Sequence, residues 1–120
     1  MRTVRTGEVY SADLDPVRGS EQGGMRPIVI FQNPLLARFT TTALCIPLTS
    51  NMKRRGLAGT CLIHKGDGGL PQDSVALAFQ MRALDGERLA RRIGVVSREA
   101  VADLTVAVLD ALGIEPGENL

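Results

Sequence analysis

The chain has no tryptophan, one tyrosine, three phenylalanines and a single histidine, His64. One histidine removes any RNA-cleaving mechanism that uses a histidine pair. No Gly-x-Ser-x-Gly elbow is present to build a serine triad around it. Its place at the end of a predicted strand, beside Lys65, fits a surface or packing residue better than a base. The two cysteines, Cys45 and Cys61, form no Cys-x-x-Cys pair, which argues against a zinc site. Both lie in apolar runs and read as small buried hydrophobes, with a disulfide disfavoured in a reducing compartment. The carboxylates do not cluster as a two-metal nuclease requires. No apolar run approaches the roughly 18 residues of a membrane span. Met1 to Thr6 lacks the apolar stretch of a signal peptide, so the expectation is a cytoplasmic protein.

What is present fits one domain over residues 1–120, with 44% hydrophobic residues. The net charge of +1 conceals an asymmetry. Residues 1–65 hold nine Lys and Arg against four Asp and Glu, whereas residues 66–120 hold five against nine. A basic first half fits an anionic partner such as nucleic acid, although halves of a sequence need not be faces of a fold. Twelve of the fourteen basic residues are Arg. Arg matches phosphate with a planar fork of donors, but a GC-rich genome gives the same bias.

Gly7 to Leu14 alternates, with Val9, Ser11 and Asp13 on one face and Glu8, Tyr10, Ala12 and Leu14 on the other, and predicts a strand. Pro27 to Gln32 is a nearly continuous apolar run, the pattern of a central strand buried on both sides. Thr41 to Thr49, Gly59 to Lys65 and a long Asp73 to Leu84 segment predict three more strands. In the last of these, Val75, Leu77, Phe79 and Met81 alternate. Glu87 to Arg92 resembles one helical turn, and Ile93 to Val96 a short strand. Ser97 predicts an N-cap, with Glu99 complementing the dipole. Val101, Leu104, Val108 and Leu112 share one face of the helix that follows. Gly113 and Pro116 end it. Five or six short strands followed by one helix predict a closed or strongly curled sheet, economically a small barrel with a capping helix.

The most informative stretch is Gly19-Ser20-Glu21-Gln22-Gly23-Gly24-Met25-Arg26-Pro27. Its three glycines allow close backbone approach to a ligand, and Glu21 and Arg26 bring an acid and a base to the same place. It is neither a P-loop nor a dinucleotide fingerprint, because a strand follows it rather than a helix. An ordinary polar connection remains the competing reading. Thr49 and Ser50 end the third strand, where a hydroxyl can reach a ligand or simply cap the strand. Gln80 and Arg82 lie two apart, sharing one face of the fifth strand toward either solvent or a ligand.

Taken together, Gly7-Glu8-Val9-Tyr10, Ala12-Asp13-Leu14, the Gly-Ser-Glu-Gln-Gly-Gly-x-Arg-Pro string, Pro47-Leu48-Thr49-Ser50, Gly68-Gly69-Leu70, Asp73-Ser74-Val75 and Gln80-Met81-Arg82-Ala83-Leu84-Asp85 resemble the MazF/PemK endoribonuclease toxins. The resemblance spans about Gly7 to Gly113. It implies a mainly β fold: a small SH3-like barrel of five to seven short strands with a C-terminal helix, shared with the CcdB gyrase toxins and usually homodimeric. It also implies cleavage of single-stranded RNA at short motifs, leaving 2′,3′-cyclic phosphate and 5′-hydroxyl ends. No metal or other cofactor is implied, and a MazE-like antitoxin is the implied inhibitor. By position, Arg26 and Thr49 match residues at the scissile phosphate, and Glu21 matches a glutamate that matters in some members, whose role as general base is left open. Ser20, Gln22, Gly23, Gly24, Gln80 and Arg82 match positions near the RNA. Lys53 and Arg54, in a loop that varies within the family, are candidates to track the RNA backbone. Phe39 is a loop aromatic that could stack on a base or pack. A non-catalytic binding module of the same fold, such as a CcdB-like gyrase poison, is the competing function.

Overall fold

The computed structural model describes residues 3–19 and 21–115. Seven strands precede one helix: β1 (Glu8–Asp13), β2 (Met25–Ile30), β3 (Thr42–Thr49), β4 (Thr60–Ile63), β5 (Ser74–Leu77), β6 (Arg82–Asp85), β7 (Leu89–Val95) and α1 (Arg98–Leu112). All strand pairings are antiparallel, in the order β4-β5-β3-β2-β1-β7, with β6 also on β3. The expected barrel is therefore only approached. Leu84 of β6 and Leu89 of β7 enter one apolar cluster, so the sheet curls until these two strands converge. No ladder joins them among the described residues, and the sheet stays open at that seam.

Alternation along the strands explains how the sheet is filled. Ile28, Val29 and Ile30 are all fully buried, as the continuous run predicted. Val29, with Val9, Ile46 and Leu48, faces the cluster under α1, which supplies Leu104 and Val108. Ile28 and Ile30, with Tyr10, Leu14 and Cys45, face the inside of the curl. Side chains at successive positions point to opposite faces, so one strand serves both clusters.

The predicted long fifth strand is in fact two. Between the pairs Leu48↔Ala76 and Cys45↔Arg82, β3 advances three residues while its partner advances six. The surplus of three is the 3-10 turn Ala78–Gln80, which lifts Phe79 out of the alternation and leaves it 45% exposed. The helical turn expected over Glu87 to Arg92 contracts to Gly86–Arg88, and β7 begins at Leu89, because pairing with β1 extends the strand to Leu89↔Ala12.

Ser97 caps α1, accepting from the Ala100 N–H at 3.2 Å, and Asp67 accepts from its backbone N–H and its hydroxyl, both at 2.7 Å. Gly113 closes the helix with a left-handed φ of 72°. Leu112, expected on the buried face, is 62% exposed, and Ala100 and Ala107 are buried on that face instead. Pro116 lies outside the described residues. Among those residues, no helix is long and apolar enough to cross a membrane.

Both cysteines are free thiols. Burial pushes the Cys45 thiol up to about 12. Burial, helped by the Asp103 charge, pushes Cys61 up to about 11. Both stay protonated at neutral pH, so neither offers a thiolate nucleophile.

Candidate active site

Arg26 is the second residue of β2, and Thr49 closes β3. These strands pair from Ile30↔Cys45 to Ile28↔Pro47, where their ladder ends; Arg26 and Thr49 each lie two residues beyond that last pair, at neighbouring ends of the two strands. Arg26 also pairs with Ala12, and Arg82 with Cys45, both residues of the inner cluster. Paired residues share a face, as do residues an even number apart on one strand, so Arg26, Arg82 and Thr49, four residues from Cys45, lie on the concave face of the sheet. Arg26 is exposed, and Thr49 is 6% exposed. The Thr49 hydroxyl accepts from the Asn51 N–H at 3.1 Å, the capping role open from the sequence. Accepting that bond leaves the hydroxyl proton to donate.

The glycine loop is folded against this face. Gly24 has a φ of +73°, which only glycine adopts cheaply, and a Cβ on Gly23 would lie 2.8 Å from Asp15 Oδ1. One expectation is corrected here. The loop's N–H groups are largely engaged internally: Glu21 N–H donates to the Arg18 carbonyl, Gln22 N–H to Gln80 Oε1 at 2.9 Å, and Gly24 N–H to Asp15 Oδ1 at 3.0 Å. Few bare amides are thus left to approach a ligand, and side chains supply most of the loop's exposed polar groups. Arg26 Nε donates to the Gly23 carbonyl at 3.0 Å, which fixes the guanidinium beside the loop. One Glu21 carboxylate oxygen accepts from the Arg18 N–H.

Gln80 and Arg82 do not share a continuous strand, since Gln80 ends the 3-10 turn and Arg82 begins β6. Both instead bind the loop and its stem, Gln80 through Gln22 and Arg82 Nη1 through the Leu14 carbonyl at 3.3 Å. Arg88, which sequence reading overlooked, completes the clamp: its Nη1 donates to the carbonyls of Asp13 and Asp15. Three successive carbonyls are thus held by two guanidinium groups. Nothing local in Gly86–Arg88 signals this, because the bond spans some seventy residues of sequence.

A cavity of about 260 Å³ opens between loop and turn. Pro47, Phe79 and Met81 give it apolar walls, and Glu21, Gln22, Gln80 and Arg82 give it polar ones. Arg26 and Ser50 border a smaller cleft of about 130 Å³. Lys53 and Arg54 lie in the 3-10 turn Met52–Arg54, three to five residues past Thr49. Ser20 lies outside the described residues. A cavity of about 620 Å³ between β4 and α1 is lined by Asp103, Asp110 and Glu115, a charge that repels phosphate. Among the described residues no group of three or more His, Cys, Asp or Glu could hold a metal ion.

Comparison with known proteins identifies the family and the fold. Residues 5–112 match the family of PemK-like, MazF-like toxins of type II toxin–antitoxin systems. The chain is 36% identical over 111 residues to the endoribonuclease MazF of Staphylococcus saprophyticus, covering 92% of each chain. In fold it is similar to the crystal structure of MazF from Deinococcus radiodurans, with a TM-score of 0.79 at 23% identity, covering 95% of this chain and 100% of that one. A mycobacterial endoribonuclease in complex with its cognate antitoxin is similar at a TM-score of 0.74 and 24% identity, covering 92% of this chain and 95% of that one.

Proposed function

The chain belongs to the PemK-like, MazF-like toxins of type II toxin–antitoxin systems, and on that premise we propose that it is a metal-independent, sequence-specific endoribonuclease acting on single-stranded RNA. The observation that carries the reading is Arg26 and Thr49 on the concave face at neighbouring strand ends, each two residues beyond the last β2–β3 pair, beside a clamped glycine loop. In the proposed reaction the substrate's 2′-oxygen attacks the adjacent phosphorus. The O2′–P bond forms, the P–O5′ bond breaks, and the products are a 2′,3′-cyclic phosphate and a 5′-hydroxyl. The protein supplies no nucleophile. It orients the 2′-hydroxyl and stabilises charge on the phosphoryl oxygens.

Arg26 directs its fork at those oxygens, and Thr49 donates its hydroxyl proton to one of them. Glu21 accepts the 2′-hydroxyl proton as general base. Arg26 acts electrostatically, because its high pKa makes it a poor proton donor, and the leaving 5′-oxygen takes its proton from water. Ser20, Gln22, Gly23, Gly24, Gln80 and Arg82 form the surrounding RNA surface. For Gln80 and Arg82, the bonds to the loop make part of that role the support of its shape. The protein acts in the cytoplasm as a homodimer that a MazE-like antitoxin neutralises.

A long unstructured RNA incubated with the protein in EDTA tests the reading. Discrete cuts with cyclic-phosphate ends are the expected result. A folded protein that leaves the RNA intact would move the function to a gyrase-type or purely binding role. Removing one cation at Lys53 or Arg54 should lower the slope of log K against log salt by about 0.7, the value for one single-strand phosphate contact. An unchanged slope in filter binding would assign both side chains to plain solvated surface.

A further inference from the structure

Four aromatic rings serve the whole chain. Tyr10 is 2% exposed and Phe31 is half-buried against the core, whereas Phe39 at 83% and Phe79 at 45% are exposed. Phe39 precedes β3, and Thr49 ends it. The strand between them is roughly 20 Å long at the usual rise per residue, which puts Phe39 at the wrong end of the sheet.

Phe79 is placed differently. The three-residue surplus opposite β3 projects it from the sheet into the 260 Å³ cavity. Pro47 of that cavity is two residues from Thr49 on the same face, about 7 Å along the strand. Gln22, which also lines it, adjoins Gly23, whose carbonyl holds Arg26. The cavity therefore begins within one residue of loop from the guanidinium. It has apolar walls, a polar rim of Glu21 and Arg82, and continuity with the phosphate site. An unstacked base on a strand held at Arg26 meets these features in turn.

We infer that Phe79 is the stacking platform for one RNA base next to the scissile phosphate, and hence a specificity-determining residue. This rests on the endoribonuclease reading above. The ring face supplies affinity for any base, and the carboxylate and guanidinium at the rim discriminate among base edges.

The test uses 2-aminopurine placed in turn at each nucleotide of a short RNA. The RNA carries the mapped cut site, with a 2′-deoxy sugar there to keep it whole; a mixed-sequence RNA serves if no cuts are found. Binding should quench the fluorescence at one position. Phe79→Ala should lose that quench, and Phe79→Tyr should restore it. On cleavable RNA, Phe79→Ala should lower kcat/KM by about tenfold or more and relax the preference at that nucleotide. A quench and a cutting pattern unchanged in Phe79→Ala would overturn the inference. So would an altered sedimentation mass for that variant, which would make the ring a contact between copies of the chain. RNA that the parent neither binds nor cuts overturns it as well. A Phe79-dependent quench on RNA that the parent cannot cut supports the platform and removes the nuclease reading alone.

Discussion

Arg26→Ala is expected to lower RNA cleavage by roughly 10²-fold or more, the loss typical of removing one donor to a developing oxyanion. Folding and thermal stability should be nearly unchanged. The side chain is exposed, and its one described bond, Nε to the Gly23 carbonyl, is a solvent-exposed contact whose net worth is about 1 kcal/mol. The loop also keeps its other ties, through Gln80, Asp15, Arg82 and Arg88. Arg26→Lys should recover little, because an ammonium is a point charge that cannot span two phosphoryl oxygens. Single-turnover cleavage, with circular dichroism on the same samples, separates chemistry from folding. Near-normal cutting by a folded Arg26→Ala protein would remove Arg26 from the mechanism.

Gly94→Ala should cost about 3 kcal/mol of stability and lower Tm by roughly 10 °C. A Cβ there would lie 2.5 Å from the Gly68 carbonyl oxygen and 2.7 Å from its carbon. These are backbone atoms, which no rotamer change can move aside. Gly68 cannot retreat, because its own Cβ position is 2.7 Å from a Val96 methyl and 2.9 Å from a Val9 methyl. Strand β7 therefore crosses the turn Asp67–Gly69 backbone against backbone, and that turn carries the Asp67 carboxylate that holds Ser97. Gly56→Ala is the control. Its φ is +81° with open space around it, so only the left-handed conformation is penalised, by about 1–2 kcal/mol. Equal melting of Gly94→Ala and the parent would show that the two segments separate freely.

The two substitutions probe different levels of the same molecule. Arg26 stands out as a candidate from its neighbours in sequence, because the glycines, the acid and the strand start around it are local. Arg88 was not, because its partners are the carbonyls of Asp13 and Asp15 and it meets them only through the curl of the sheet. The loop shows the same division. Its glycines are legible one by one, whereas the internal engagement of its amides depends on Gln80, fifty-eight residues away.

By itself, the sequence determined what short-range physics decides. The apolar run Ile28 to Ile30 must be buried on both faces. Ser97 and Gly113 must begin and end a helix, and the string from Gly19 to Pro27 must form a glycine loop that leads into a strand. Tertiary structure alone decided the rest. Val75 to Met81 alternates as one strand would, and nothing local marks a break. The break arises because β3 offers three residues where its partner chain has six, so three must leave the ladder as the Ala78–Gln80 turn. Ladder register is a property of two strands at once, and it sets where Phe79, Gln80 and Arg82 stand relative to Arg26 and Thr49.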